Sequence, residues 1–188
     1  MKYRALVFDF FGVVCSEVAP FWFEEHIPEG AAELKEKYVR PADRGEVDES
    51  ELFDELAELT GIPAEEIRQD WEARAHINTE LMRFIKSLRS DYKIGLLSNA
   101  PTRFFRALLH GKAVGPFFDA IVVSGEIGHT KPEPEAYQAI LAALEVRPEE
   151  ALMIDDNPRL VEGAKEVGMA GHQFTSVQEL RNLLGRER

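Results

Sequence analysis

The chain has 188 residues, 45% of them hydrophobic, which suits one domain with a sizeable core and a modest insertion. Its formal net charge of -12 disfavours nucleic acid and anionic membrane surfaces as partners, because both reward basic patches. No stretch approaches the roughly 20 uninterrupted apolar residues of a membrane span, and no basic, apolar and cleavable leader is read at the N-terminus, so a soluble protein is expected. The lone Cys15 has no internal partner, which suits a cytoplasmic location.

The first element is "RALVFDFFGVV", in which the apolar run ALVF is predicted as a buried strand that delivers Asp9 and then turns at Gly12. A bulky Phe11 stands two places after the acid. From about Cys15 to Asn78 the texture is helical, with "SELFDELAEL" and "AEEIRQDWEARA" as its clearest members and no convincing strand. Within it, Phe21, Trp22 and Phe23 are read as packing residues. "VRPADRGEVDESEL" is read as a turn-rich loop carrying solvated Arg40 and Arg44, and Glu65 and Glu66 as an acidic first helical turn. The expected organisation is a core of residues 1–14 and 79–188 with a helical cap, 15–78, inserted after the first strand. One overlong helical crossover would have the same texture.

Beyond the insertion, "TELMRFIKSL" carries Leu81, Phe84, Ile85 and Leu88 on one stripe, as an amphipathic helix should. The run "YKIGLL" leads into Ser98 and Asn99, "AIVV" into Ser124, "ALMI" into Asp155 and Asp156, and "AGHQF" is the last strand pattern. Helices are predicted after Pro101, after Pro132 to Pro134 and after Pro158, where proline suits a first turn. Strands alternating with helices imply an α/β fold: a Rossmann-like parallel sheet covered by helices on both faces.

In such sheets ligands bind beyond the carboxyl ends of the strands. Here Asp9, Ser98 with Asn99, and Asp155 with Asp156 all fall at strand ends, and Lys131 in "GHTKPEPEAY" lies within reach of the same edge. Three carboxylates brought together repel unless a proton or cation intervenes. A hard divalent ion with oxygen ligands answers this, and magnesium suits a few carboxylates plus water and phosphate. The five histidines are scattered without metal-ligand spacing, which argues against zinc.

The order Asp9 with Gly12, Ser98-Asn99, Lys131-Pro132 and Asp155-Asp156 resembles the haloacid dehalogenase superfamily, and its phosphatase-rich branch in particular. "LLSNAP", "HTKPEPEAY" and "MIDDNPRLVEGAKEVGM" are moderate signals singly and strong in this order. The resemblance implies that Asp9 is the nucleophile, forming an aspartyl-phosphate from a small phosphorylated metabolite. It implies that Ser98, helped by the Asn99 backbone, hydrogen-bonds the phosphoryl group, and that Lys131 offsets negative charge. Asp9, the Phe11 carbonyl, Asp155 and Asp156 would hold Mg2+.

At Phe11 the chain departs from the pattern, since phosphatases of this superfamily usually carry aspartate there as general acid and base. An aromatic ring cannot protonate a leaving oxygen. A steep dependence of rate on leaving-group pKa is therefore expected. Two further readings remain open: a phosphate-binding regulatory module with reduced catalysis, and a 2-haloacid dehalogenase-type hydrolase.

Overall fold

The computed structural model describes residues 3–186. Its centre is β1 (Ala5–Phe8), whose four residues are all buried. A strand enclosed on both faces must be apolar throughout, and ALVF meets that condition. β1 pairs in parallel with β2 (Lys93–Ser98) on one side and β4 (Ala151–Asp155) on the other. With β3 (Ala120–Val123) and β5 (Ala170–Gln173) outside them, the sheet order is β3-β2-β1-β4-β5. The chain thus runs outward from β1 through β2 to β3, then returns to the far side of β1 for β4. That reversal opens a crevice at the carboxyl end of β1. Phe8 is level with Leu96 of β2 and Ile154 of β4, so Asp9 emerges beside the end of β4.

Successive side chains of β1 face opposite sides. Leu6 and Phe8 join an apolar cluster with Phe84, Ile85, Phe105 and Leu180. Ala5 and Val7 join another with Tyr137, Ile140 and Ala164. The first face is covered by α6 (Thr79–Leu88), α7 (Thr102–Gly111) and α11 (Val177–Leu183), and the second by α9 (Pro134–Leu144) and α10 (Pro158–Glu166). α6 buries the expected stripe of Leu81, Phe84, Ile85 and Leu88, and its first turn is capped by Asn78 Oδ1, which accepts from the Leu81 N–H at 3.0 Å. α9 and α10 both open on proline, where the missing N–H costs no helical bond. A short α8 (Ser124–Ile127) follows β3 directly.

Between β1 and α6 the described residues form no strand beyond isolated bridges of Cys15 with Phe11 and Ile77, and the regular elements are helical: α1 (Ala19–His26), α2 (Ala31–Leu34), a π-helical turn (Lys35–Val39), α3 (Arg40–Asp43), α4 (Glu49–Thr60) and α5 (Ala64–Arg74). The two chain crossings into this segment lie side by side, because Ser16 N donates to His76 O and Asn78 N to Val14 O, each at 2.9 Å. The segment packs on the sheet domain without a seam. Trp71 meets Trp22, Phe53 and Phe104 edge-on at centroid distances of 6.1, 5.3 and 5.8 Å, and Phe104 belongs to α7. Glu49, buried at the start of α4, reaches across as well. Its carboxylate accepts from the Phe104 N–H at 2.6 Å and from Arg68 at 2.8 Å, so one acid satisfies an open donor of α7 and binds α5.

One reading needs correction. The stretch "VRPADRG" is helical through Asp43, and only residues 44–47 turn before Asp48 caps α4. Pro41 sits in the first turn of α3, and Arg40 pairs with Glu36 one turn back at 2.5 Å. Neither arginine is a free solvated charge: Arg40 holds Glu36, and Arg44 binds Glu133 on the loop after Lys131. Trp22 and Phe23 are buried as packing residues, whereas Phe21 is 58% exposed. Among the described residues no helix is long and apolar enough to cross a membrane.

Candidate active site

The crevice at the sheet edge is a cavity of ≈ 250 Å³. Its floor is formed by Asp9, Phe11, Asn99, Lys131 and Asp156, and its opposite wall by Glu17, Lys35, Arg40, Asp43 and Trp71 from the helical segment.

Lys131 is the hub of the floor. Its ammonium is buried and donates to Asp9 Oδ1 at 2.7 Å and to Asp155 Oδ2 at 2.6 Å. Burial alone would depress its pKa, but the attraction of Asp9 and Asp155 outweighs this and raises it, so the group is a permanent cation. Asn99 fixes the backbone carrying it: Oδ1 accepts from Lys131 N at 2.8 Å and Nδ2 donates to Lys131 O at 2.9 Å. The remaining Asp155 oxygen accepts from Asn157 N at 2.9 Å.

Asp9, Asp155 and Asp156 each present a carboxylate oxygen within 4.8 Å of the others. One ammonium cannot balance three carboxylates. Burial, with Asp155 adding to it, holds Asp9 well above the usual carboxylate range despite Lys131. Asp156 is raised too, by burial first and by Asp155 second. The close approach of Asp156 depends on Gly12, whose φ is +87° and whose Cα faces the carboxylate; a Cβ there would lie 2.5 Å from Asp156 Oδ2. Among the described residues nothing donates to the Phe11 carbonyl. A surplus of hard anionic oxygens beside an unclaimed carbonyl fits a small divalent cation such as magnesium. A second acidic cluster, His129 with Glu133 and Glu135, is already bridged by Arg44 and Thr130.

Asp9, Asn99, Lys131, Asp155 and Asp156 are therefore brought together, as is Phe11, whose ring lines the cavity and packs edge-on against Phe10 at 4.9 Å. Ser98 is placed differently. It is fully buried at the end of β2 and not on the cavity wall, and its hydroxyl has no partner among the described residues. Cys15 is an inert buried thiol, its pKa pushed up to about 11 by burial.

Sequence reasoning missed the far wall. Glu17 has its pKa raised by burial, against the pull of Lys35 and with Asp156 and Asp155 adding to the rise. Asp43 is pushed up to about 7 by burial, with Lys35 and Arg40 opposing and Glu17 contributing. Trp71 presents a buried indole N–H without a partner among the described residues.

A family model described as haloacid dehalogenase-like hydrolase matches residues 3–168. A D-ribitol-5-phosphate phosphatase from Bacteroides thetaiotaomicron is 27% identical over 90% of this chain and 91% of its own length. The pyrophosphatase PpaX of Bacillus cereus is 33% identical over a shorter match, 47% of this chain and 40% of that protein. Among solved structures, a wild-type enzyme of the same family from Bacteroides thetaiotaomicron, in complex with magnesium and inorganic phosphate, superimposes with a TM-score of 0.76 at 22% identity, covering 96% of this chain and 98% of that one.

Proposed function

The chain belongs to the haloacid dehalogenase-like hydrolases, and from that premise we propose that it is a magnesium-dependent phosphatase acting on a small phosphorylated metabolite through Asp9. The observation that carries this reading is the grouping of Asp9, Asp155 and Asp156 around the buried Lys131 ammonium. Such a floor combines one nucleophilic carboxylate, one fixed cation and a surplus of hard oxygen ligands.

Asp9 attacks phosphorus and takes up the phosphoryl group, which splits one displacement into two easier ones. Lys131 favours the ionised form of Asp9 against the effect of burial and offsets charge on the phosphoryl oxygens, while Asn99 holds Lys131 in place. Asp155 is oriented by Lys131 and the Asn157 N–H, and Asp156 occupies the space that the absent side chain of Gly12 leaves open. Asp9, Asp155, Asp156 and the Phe11 carbonyl would hold magnesium, which when bound would supply further neutralisation of charge on the phosphoryl group. The Ser98 hydroxyl, buried at the end of β2 without a partner among the described residues, is the donor assigned to a phosphoryl oxygen.

The residues of 15–78 act as the cap, forming the far wall and enclosing the organic part of the substrate. The cavity of ≈ 250 Å³ and its mixed wall of Trp71 indole, carboxyl groups and cations suit a short hydroxylated chain. D-ribitol-5-phosphate, named for the 27% identical relative, is the first substrate to test. The experiment is a panel of sugar, polyol and other alkyl phosphates with 2-haloacids as controls, each with and without magnesium, on the native protein and Asp9→Asn. Magnesium-dependent phosphate release that Asp9→Asn abolishes supports the reading. Halide release without metal would replace it with dehalogenation, and no turnover of any compound would leave a phosphate-binding module.

A further inference from the structure

With Phe11 in place, every titratable group of the cavity floor is already assigned to phosphoryl transfer or metal binding, which leaves none to move a proton to or from the substrate. We propose that the Asp43 carboxyl, on the opposite wall, is the general acid that protonates the leaving oxygen and the general base that then activates water. This rests on the phosphatase reading above and adds the residue that completes its chemistry.

Three observations carry it. The first is position. In a phosphoryl displacement the attacking and leaving oxygens lie roughly in line, so with Asp9 on the floor the leaving oxygen points to the helical wall. Asp43 and Glu17 are the carboxyl groups of that wall not committed to an arginine, since Glu36 is paired with Arg40. The second is anchorage. Asp43 belongs to the helical segment yet is tied to the sheet domain on both sides of the site. The Ser124 hydroxyl donates to the Asp43 carbonyl, and the neighbouring Arg44 binds Glu133, two residues after Lys131. Gly45 lies so close to α8 that a Cβ there would approach the Gly125 carbonyl to 2.5 Å. A proton-transfer group must be held to within a fraction of an ångström, and these ties fix α3 against the core.

The third observation is charge. Asp43 faces Glu17 before α1, Lys35 on the π-helical turn and Arg40 on its own helix; across the cavity stand Asp9, Lys131, Asp156 and Arg159. Burial and the Glu17 carboxylate disfavour a charge on Asp43 more than the two cations favour it. The group is therefore poised to give and take a proton near neutral pH. Glu17 is the neighbouring carboxyl whose proximity adds to the effect of burial on Asp43.

The steps balance. Asp9 forms a bond to phosphorus as the ester P–O bond breaks, and the leaving oxygen takes the Asp43 proton to depart as an alcohol. Water then attacks phosphorus, giving its proton to the Asp43 carboxylate as the Asp9–phosphorus bond breaks. Free phosphate leaves and Asp43 is again protonated. The steep leaving-group dependence expected from Phe11 alone is thereby replaced by a shallow one.

The test is kcat/KM with magnesium across pH for a graded series of aryl and alkyl phosphates, on the native protein, Asp43→Asn and Glu17→Gln, with thermal melting as the check on folding. The native protein should cleave alkyl phosphates with a limb that falls as pH rises through about 7. Asp43→Asn should lose that limb and slow alkyl esters by about a hundred- to ten-thousandfold, while activated aryl phosphates change several-fold at most. Glu17→Gln, by removing a like charge, should move the limb to lower pH. Asp43→Asn with an unchanged limb and unchanged leaving-group trend would overturn the proposal while leaving the phosphatase reading intact. If Asp43→Asn does not fold, an unmoved limb in Glu17→Gln overturns it instead. Native protein inactive on every ester overturns the phosphatase reading itself.

Discussion

Replacing Asp43 by asparagine should make the protein more stable at alkaline pH, even as it removes the proton donor. The folded-state pKa of about 7 lies above the unfolded value of 3.8. The contribution of this group to stability is therefore fully present below pH 3.8 and is lost as pH rises through 7. At pH 8 the native fold must hold a carboxylate that it disfavours, whereas asparagine has nearly the same shape and never ionises. The difference of about 3 pH units corresponds to about 4 kcal/mol as an upper bound. Asp43 is partly exposed, so screening by water reduces this to roughly 1–2 kcal/mol. For a chain of this length that is a rise in Tm of about 2–8 °C. Thermal melting of the native and Asp43→Asn proteins at pH 4, 6 and 8 reads the effect. The gain should be near zero at pH 4 and grow through pH 7. A variant no more stable at pH 8, or equally stabilised at both ends, would refute the assignment of a disfavoured charge. Stability gained where activity is lost is the expected mark of a residue kept for function.

Lys131→Met removes the cation between two buried carboxylates, which should cost roughly 3–5 kcal/mol, or about 6–20 °C in Tm; a melting curve unchanged from native would contradict its place as the hub. Gly12→Ala puts a Cβ 2.5 Å from Asp156 Oδ2 and should weaken magnesium binding roughly 10–100-fold by calorimetry. Affinity equal to native would show that the Asp156 carboxylate need not stand where it does. Glu49→Gln keeps a hydrogen-bond acceptor for Phe104 N but leaves Arg68 without its buried partner. The expected loss is about 1–3 kcal/mol by denaturant unfolding, and a midpoint unchanged from native would count against Glu49 as the tie between α4 and α7.

The floor of the site was legible in the sequence because each of its acids breaks a local rule. An apolar strand that ends on Asp9 or Asp155 has no reason to do so unless the charge meets something, and parallel topology says that the ends meet each other. Lys131 was legible for the same reason, lying before a proline-opened helix at that edge. The grip of Asn99 on the Lys131 backbone was not, since it joins groups 32 residues apart through a cross-sheet approach that no periodicity encodes. Glu17 and Asp43 look like ordinary surface acids in the sequence, and only tertiary burial makes them unusual. Arg40 and Arg44 were misread because Pro41 and Gly45 suggest a turn; the signal that pointed to helix was Glu36 four residues before Arg40, with Pro41 in a permitted first-turn position. The hydroxyl of Ser98 was placed correctly by sequence at a strand end, but which way it points is decided by packing.

The most direct test of Asp9 as nucleophile is to look for the phosphoryl group on it. Native protein mixed with magnesium and an activated aryl phosphate, quenched in acid within the first turnovers and mapped by peptide mass, should carry one phosphoryl group on the peptide containing Asp9. The same treatment of Asp9→Asn should leave that peptide unmodified and release no phosphate. Turnover by the native protein with no modified Asp9 at any quench time, together with retained turnover in Asp9→Asn, would contradict covalent catalysis at this carboxylate.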